Sequence, residues 1–386
     1  MRLLIACDKF KDALSAEEAC RVVAASAGGV ADLCPLTDGG DGFAAILTAA
    51  VGGTLVRVPV TGPRGKKVTG LLGLVAVASI PPAARDLLGL TGGSSQRLAV
   101  IDLASSGGLA LLRPDERDPW QTDSRGTGEL LRAAASHEVA AIILGLGGSA
   151  THDLGLGAVS ELGFTPCDQA GGRLAAAPVN WRRFSQLNGA AGTKLPPIRL
   201  ACDVTNPLLG AAGAVASYAV QKGLRPEDAT ELERLTAAAV RVLCARFGRD
   251  FDGLVRTPGM GAAGGIAVGL SVAFGATIIP GADLVFAWLG LERRLSEADI
   301  VVTGEGRFDQ TSLAGKGPGA VIARALALGK KVHVFAGAVD PAVRAGVPAN
   351  LRLHAISPVG LPLEQALKEA PQFLGKAVAA AAAAGW

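Results

Sequence analysis

The sequence predicts an α/β protein with parallel sheets, divided into two domains. Three observations carry this. Short apolar runs alternate with amphipathic stretches along the chain, the pattern of strand-helix-strand units. The length of 386 residues suggests two domains at roughly 100–200 residues each. Hydrophobic residues make up 49% and charged residues only 18%, so a full core can form and disorder is excluded.

The elements follow in order. Residues 2–7 (RLLIAC) form a short apolar run expected to be a buried strand. Ser15, with Glu17 and Glu18 behind it, is an N-cap that opens a helix through about Ala27. The intervening loop 8–14 then lies at the strand's carboxyl edge, where open α/β sheets bind ligands. Further strands are expected at 99–103, 140–146, 199–202, 299–303 and 331–335. Helices are expected at 43–50, 126–136 and 229–247, and the alanine run 377–384 predicts a terminal helix. Segments 80–96 and 193–197, rich in Pro, Gly or Ser, read as insertions or linkers.

Charge and cysteine usage exclude several classes. With 37 basic and 34 acidic residues interspersed, the net charge of +3 gives no basic face for nucleic acid or a membrane surface. The six cysteines form no C-x-x-C and no zinc spacing, and read as buried free thiols in a reducing compartment. Residues 3–7 are too short for a signal peptide, and no stretch has the character of a membrane span. The expectation is a soluble cytoplasmic protein.

Five glycine-containing clusters carry candidate chemistry. Residues 37–42 (TDGGDG) place Asp38 and Asp41 around a diglycine, either as a Mg²⁺ or hydroxyl-contacting loop or as a helix-capping turn. Residues 123–129 (DSRGTGE) place Arg125 at a helix start, as an anion clamp or as a surface residue of a capped helix. Residues 145–157 (GLGGSATHDLGLG) follow a buried strand. There Gly147 and Gly148 allow phosphate approach, Ser149 and Thr151 add donors, and Asp153 is a Mg²⁺ candidate. His152 reads as a polar loop residue rather than a ligand. The run lacks the lysine of a Walker A loop. Asp203 ends a strand as a candidate general base or metal ligand, or an Asx-turn before the Asn206-Pro207 pair. Downstream, Lys222 offers a cation, and residues 258–265, with Gly264, a further anion cradle. Residues 303–310 (TGEGRFDQ) gather Glu305, Arg307 and Asp309, with Lys316 close behind, a mix suited to a charged Mg²⁺-dependent site.

Phosphoryl transfer requires cradled phosphates, carboxylate-held Mg²⁺, cations and a positioned hydroxyl, all of which this inventory contains. A nucleophile elbow, a zinc motif and a protein-kinase catalytic loop are missing. The residues alone reach a phosphate-handling α/β enzyme.

Taken in order, residues 8–15 (DKFKDALS), 37–42, 60–63, 124–130, 145–153, 201–209, 221–223, 258–265 and 303–309 resemble the bacterial glycerate kinase family of the single-chain, two-domain type. The resemblance implies ATP, Mg²⁺ and D-glycerate as ligands and 2- or 3-phosphoglycerate and ADP as products. It implies a discontinuous Rossmann-like domain, 1–75 plus 290–386, with 76–289 inserted as a second α/β domain and the active site in the cleft. It leaves the oligomeric state open, a homodimer included. On this resemblance Lys11, Asp38, Arg125, Ser149, Asp203, Lys222, Glu305, Arg307 and Asp309 match motif positions expected to line the site. As physical assignments, Asp203, Lys11 and Arg125 are the catalytic candidates. Asp38, Gly147, Gly148, Ser149, Thr151, Asn206, Lys222, Gly264, Arg307 and Lys316 would contact substrate or phosphate, and Glu305, Asp309 and Asp153 metal.

The chain departs from the family pattern at Lys9 and Asp12, where the family usually has Ser and Gly. These charges motivate a second reading, a kinase of the same fold acting on another small hydroxy acid. A third is a catalytically silent ligand-binding homologue.

Overall fold

A computed structural model describes residues 1–90, 96–310, 312, 317–344 and 346–386. Its strands are β1 (Arg2–Cys7), β2 (Val30–Leu33), β3 (Thr54–Thr61), β4 (Lys67–Ala76), β5 (Arg97–Asp102), β6 (Ile142–Gly145), β7 (Phe164–Cys167), β8 (Gln186–Gly189), β9 (Ile198–Cys202), β10 (Thr277–Pro280), β11 (Ile300–Phe308), β12 (Lys331–Val339) and β13 (Leu351–Ala355). The chain forms two compact units, Met1–Asp38 with Val285–Trp386, and Gly39–Leu284.

The first unit holds a five-stranded parallel sheet in the order β13-β12-β11-β1-β2. Leu3 to Cys7 have no exposure, because β1 lies between two strands and under helices on both faces, as its unbroken apolar run predicts. The helix Ala16–Ala27 begins where the sequence places it. The Ser15 side chain accepts from Glu18 N–H, and the Glu18 carboxylate accepts from Ser15 N–H at 2.9 Å, a reciprocal capping box. The helix buries Ala19, Cys20 and Val23 in one core with Leu374 and Val378. The latter belong to the terminal helix Leu363–Ala383, longer than the alanine run alone suggests. β11 and β12 also run past their expected ends, because Glu305 and Arg307 continue the ladder opposite Ala336 and Ala338.

The second unit holds a six-stranded sheet in the order β10-β9-β6-β5-β4-β3. β5, β6, β9 and β10 are parallel, but β3 and β4 are antiparallel, so this sheet is mixed. The unit boundary falls after Asp38 rather than after residue 75. The reason is pairing: Leu72 and Leu74 of β4 sit opposite Ile101 and Ala99 of β5, which commits residues 54–76 to this sheet. The other boundary falls after Leu284, within the helix Gly281–Leu289, instead of after residue 289. Part of the 80–96 segment is a helix, Pro82–Leu88, with Pro82 at its first position. The remainder of that segment includes residues 91–95, outside the described residues.

All six cysteines are unpaired, and five are buried. Among the described residues no helix is long and apolar enough to cross a membrane.

Gly304 shows how tightly the first sheet is built. A Cβ there would run onto the Phe335 carbonyl of β12 and approach the Phe10 ring to 3.1 Å. Gly304→Ala is expected to lower unfolding free energy by about 1–3 kcal/mol, measured by urea titration. An unchanged midpoint would show that β11 and β12 have room to separate.

Candidate active site

At the carboxyl edge of the first sheet, Asp8 extends β1 by donating its N–H to Gly304 at 2.9 Å. The chain then turns, with Phe10 and Leu14 bonded to each other through their backbones. Asp12 occupies this turn at φ +62°, a conformation that Asp tolerates and Gly prefers. The turn rests on β11, where a Cβ on Gly306 would come within 3.1 Å of Lys11 N.

This edge collects carboxylates. Burial pushes the Asp8 carboxyl up to about 7, and the Asp38 and Glu305 charges add to the rise. The Lys9 N–H, 2.7 Å from Asp8 Oδ1, and the Lys9 ammonium oppose it. Burial also raises Glu305, with Asp309 reinforcing the shift and a Ser312 hydrogen bond opposing it. Glu305 Oε1 is buried without a hydrogen-bond partner among the described residues. Arg307 is 70% exposed, 3.5 Å from Asp309 and 3.8 Å from Asp340. Lys11 is exposed, and Lys316 lies outside the described residues. The structure thus brings Asp38 and Glu305 together with Asp8.

Among the described residues no three His, Cys, Asp or Glu side chains form a ready metal cage. Mg²⁺ does not require one, since it commonly takes one or two carboxylates and completes its shell with phosphate oxygens and water. An orphaned buried Glu305 oxygen beside crowded carboxylates fits such an ion.

In the second unit, β6 delivers the chain to residues 145–157. Gly147 N–H donates to Gly39 O at 2.9 Å, and a Cβ on Gly147 would lie 2.6 Å from Gly40 Cα. Gly148, at φ +72°, is the exposed apex of the turn. Asp41 stands near it, with Oδ1 3.8 Å from where a Gly148 Cβ would be. Asp102, at the end of β5, is wholly buried and accepts from Ser105 N–H at 2.8 Å and Ala44 N–H at 3.1 Å. Burial raises its carboxyl despite these donors. Asp203 follows β9, half-buried. Its Oδ1 accepts from Ala282 N–H at 2.8 Å in the first turn of Gly281–Leu289, and its Oδ2 lies 3.0 Å from a would-be Gly281 Cβ. Gly147, Gly148 and Asp203 therefore share this edge with Asp41 and Asp102.

Other expected residues hold the edge up from within. Asp153, expected to ligate metal, is 0% exposed. Its oxygens accept from Ser124 N–H and Oγ, both at 2.8 Å, Gly157 N–H at 2.9 Å and Gly155 N–H at 3.2 Å, so it is a structural acceptor instead. Lys222, expected on a phosphate, is 2% exposed and donates to Thr151 O at 2.6 Å. Burial pulls its ammonium down to about 7, Asp153 only partly opposing. Thr151 is buried, its hydroxyl 3.2 Å from Ser149 Oγ. Ser149 also donates to Ala263 O at 3.4 Å, turning its hydroxyl inward.

Asn206, another expected ligand contact, is committed on both ends. Its Nδ2 donates to Ala212 O at 2.8 Å and Ser217 Oγ at 3.1 Å, while Oδ1 accepts from Tyr218 at 2.6 Å. Gly264, at φ +69°, meets the 151–152 backbone so closely that a Cβ would sit 2.6 Å from His152 Cα. It is a packing glycine rather than an open cradle. Arg125 begins the helix Arg125–Ala135 and reaches Asp123 and Glu161, each at 3.6 Å. Gly126 and Gly128 beside it make close backbone approaches to Thr61 and Ala158 instead of facing an anion. His152 is buried, with Nε2 3.0 Å from Thr236 Oγ1.

Sequence reasoning did not single out Asp8 or Asp102. The signal for both was position, since each is the acid that closes an apolar strand at its carboxyl edge.

Two open α/β sheets with acidic and glycine-lined carboxyl edges define an enzyme of the phosphate-handling α/β class. The sequence profile of the glycerate kinase family matches residues 3–384. The chain is 32% identical to a glycerate kinase of Bacillus subtilis (strain 168), over 97% of this chain and 95% of that protein. It is 33% identical to a glycerate 2-kinase of Escherichia coli (strain K12), over 82% and 80%. A crystal structure from Salmonella typhimurium LT2, described as a presumed glycerate kinase 2, superposes with a TM-score of 0.75. That match has 32% identity and covers 100% of this chain and 98% of the other. The chain belongs to the glycerate kinase family.

The buried Lys222 gives a pH signature. An unfolded lysine titrates near 10.4, whereas the folded group releases its proton near 7. Between these values the unfolded chain holds the extra proton, so stability rises with pH across that window. Lys222→Met is expected to flatten this rise by ~3 kcal/mol between pH 7 and 10 in urea unfolding. Parallel profiles for the two proteins would show that Lys222 is not desolvated.

Proposed function

We propose that this protein transfers the γ-phosphoryl group of ATP to a hydroxyl of D-glycerate in the presence of Mg²⁺. The observation that carries the reading is the crowding of Asp8, Asp38 and Glu305 at the first sheet's carboxyl edge, with one Glu305 oxygen lacking a hydrogen-bond partner among the described residues. Family membership narrows the substrate to glycerate. Bound Mg²⁺ neutralises charge on the phosphoryl oxygens in this chemistry.

The residues take the following roles in this proposal. Glu305 and Asp8 hold the ion, with Asp309 beside them. Lys11 and Arg307, the exposed cations of this edge, meet phosphate charge. The backbone at Gly147 and Gly148 receives phosphate oxygens, because no Cβ shields the exposed turn. Asp203 accepts the hydroxyl proton through Oδ2, while Ala282 N–H fixes Oδ1. Asp153, Thr151, Lys222 and Gly264 hold the turn at Gly147 and Gly148 from within, and Asn206 fixes the loop that follows Asp203. The name of the E. coli relative favours 2-phosphoglycerate as product. The unpaired cysteines favour a reducing, cytoplasmic setting.

The second reading, another small hydroxy acid as acceptor, draws on Lys9. Its ammonium acts on Asp8, at a position where the family usually carries a neutral side chain. Asp12 gives it no support, since the turn's left-handed backbone explains a family Gly there.

Asp203→Asn keeps the bond from Ala282 and is expected to lower kcat by about 10²–10⁴-fold with the melting temperature unchanged. Unaltered turnover would remove Asp203 from the chemistry. Glu305→Gln is expected to raise the Mg²⁺ concentration for half-maximal rate while raising the metal-free melting temperature, since a buried charge is removed. A lowered metal-free melting temperature would count against the orphaned-carboxylate reading. NMR of the product decides between 2- and 3-phosphoglycerate. A coupled ADP-release assay over a panel of hydroxy acids tests the second reading, which fails if glycerate is clearly preferred.

A further inference from the structure

The second unit contains a cavity of about 600 Å³, within the usual size range of small-molecule sites. Its wall is drawn from residues 64, 115–121, 179–182 and 223–235, none of which has a part in the phosphoryl transfer proposed for the carboxyl edges. Backbone contacts tie these stretches together. A Cβ on Gly223, at φ +95°, would run onto the Arg117 carbonyl, so only glycine lets the two chains approach. Val179 N–H donates to Trp120 O at 2.9 Å, and Asp123 N–H donates to Pro63 O at 3.1 Å, beside Arg64.

The wall holds acids as well as bases, and each acid is already answered. Asp115 accepts from Arg113 Nε and Nη2, both at 3.2 Å. Asp228 accepts from Arg225 at 2.9 Å. Glu231 accepts from Arg182 at 3.0 Å and from Arg234 at 2.8 Å. Asp118 accepts from Trp120 N–H at 2.9 Å and Gln121 Nε2 at 2.8 Å, while Gln121 Oε1 accepts from Arg64 at 3.2 Å. Arg117 is the exception. It is half-buried, it makes no hydrogen bond or ion pair with any described residue, and its Nε is buried without an acceptor. A guanidinium drawn out of water with its donors unanswered is costly, and its planar fork matches a carboxylate.

We propose that this cavity is a second ligand site, for a small monocarboxylic acid. The carboxylate would meet the Arg117 guanidinium through its Nη groups, next to Trp120. The acids of the wall set the charge of the ligand. One negative charge balances Arg117, whereas a phosphate dianion would leave a further negative charge facing Asp118 and Asp228.

The full chain is labelled with ¹⁵N-tryptophan and titrated with propionate, its neutral isostere propionamide, and orthophosphate, in separate arms at constant ionic strength. Of four tryptophan indole signals, the one missing in Trp120→Phe is expected to shift and saturate with propionate and with neither of the other probes. Arg117→Met keeps most of the alkyl stem and removes the charge. It is expected to raise the half-saturating propionate concentration about tenfold or more. It is also expected to raise the melting temperature of the ligand-free protein, with kcat on glycerate within about twofold. A Trp120 signal unmoved by propionate overturns the proposal. So does an equal response to propionamide or orthophosphate, or an Arg117→Met protein that titrates like the wild type. A lowered ligand-free melting temperature would count against an unanswered guanidinium, and a loss of kcat would make the cavity part of the active site rather than a second one.

Discussion

Backbone packs directly on backbone at the turn after β6, and much of the second unit is arranged around that contact. Gly145 and Gly147 lie against Gly39 and Gly40 with no room for a methyl group. On the other side, Gly264 meets Thr151 and His152, and Gly155 meets Ile266. Three loops far apart in sequence are thereby held at van der Waals distance without side chains between them. Packing of this kind leaves little freedom for adjustment, which suits a turn that must present its apex at a fixed place.

The two sheets handle buried charge in opposite ways. Beneath the turn, Asp153 is saturated by four donors and Lys222 is tied to Thr151, so charge serves to fix structure. Removing water from these groups is costly, and the hydrogen bonds return part of that cost as a single well-defined loop conformation. At the first sheet's edge, acids crowd one another and Glu305 keeps an oxygen with no partner among the described residues. The first arrangement is complete in itself, whereas the second calls for a cation from outside the protein.

The sequence made the strand ends legible because parallel strands in a covered sheet are short, apolar and stopped by Gly or Asp. That pattern located β1, β6, β9 and β11, and with them Glu305 and Asp203 near carboxyl edges. β3 and β4 were harder to see, since their half-exposed residues and the glycines at 70 and 73 dilute the alternation. Glycine was the main source of misreading. At 126, 128 and 264 it permits close packing of backbone, which looks identical in sequence to an anion cradle. Lys222 and Asn206 were misplaced for a related reason: their commitments depend on tertiary neighbours such as Thr151, 71 residues from Lys222, that no local motif reveals.

In the first unit's sheet the interior strand β1 takes its partner β11 from almost 300 residues downstream, since Leu3 pairs with Ile300. All six strands of the other sheet lie between Thr54 and Pro280 and pair only with one another. On the ribosome, the later-numbered half of the first sheet does not yet exist when the second unit's last strand emerges. Its sheet can therefore close during synthesis, while the apolar stretch from Leu3 to Cys7 must wait, shielded only by β2 and the helix beside it, until translation has nearly finished.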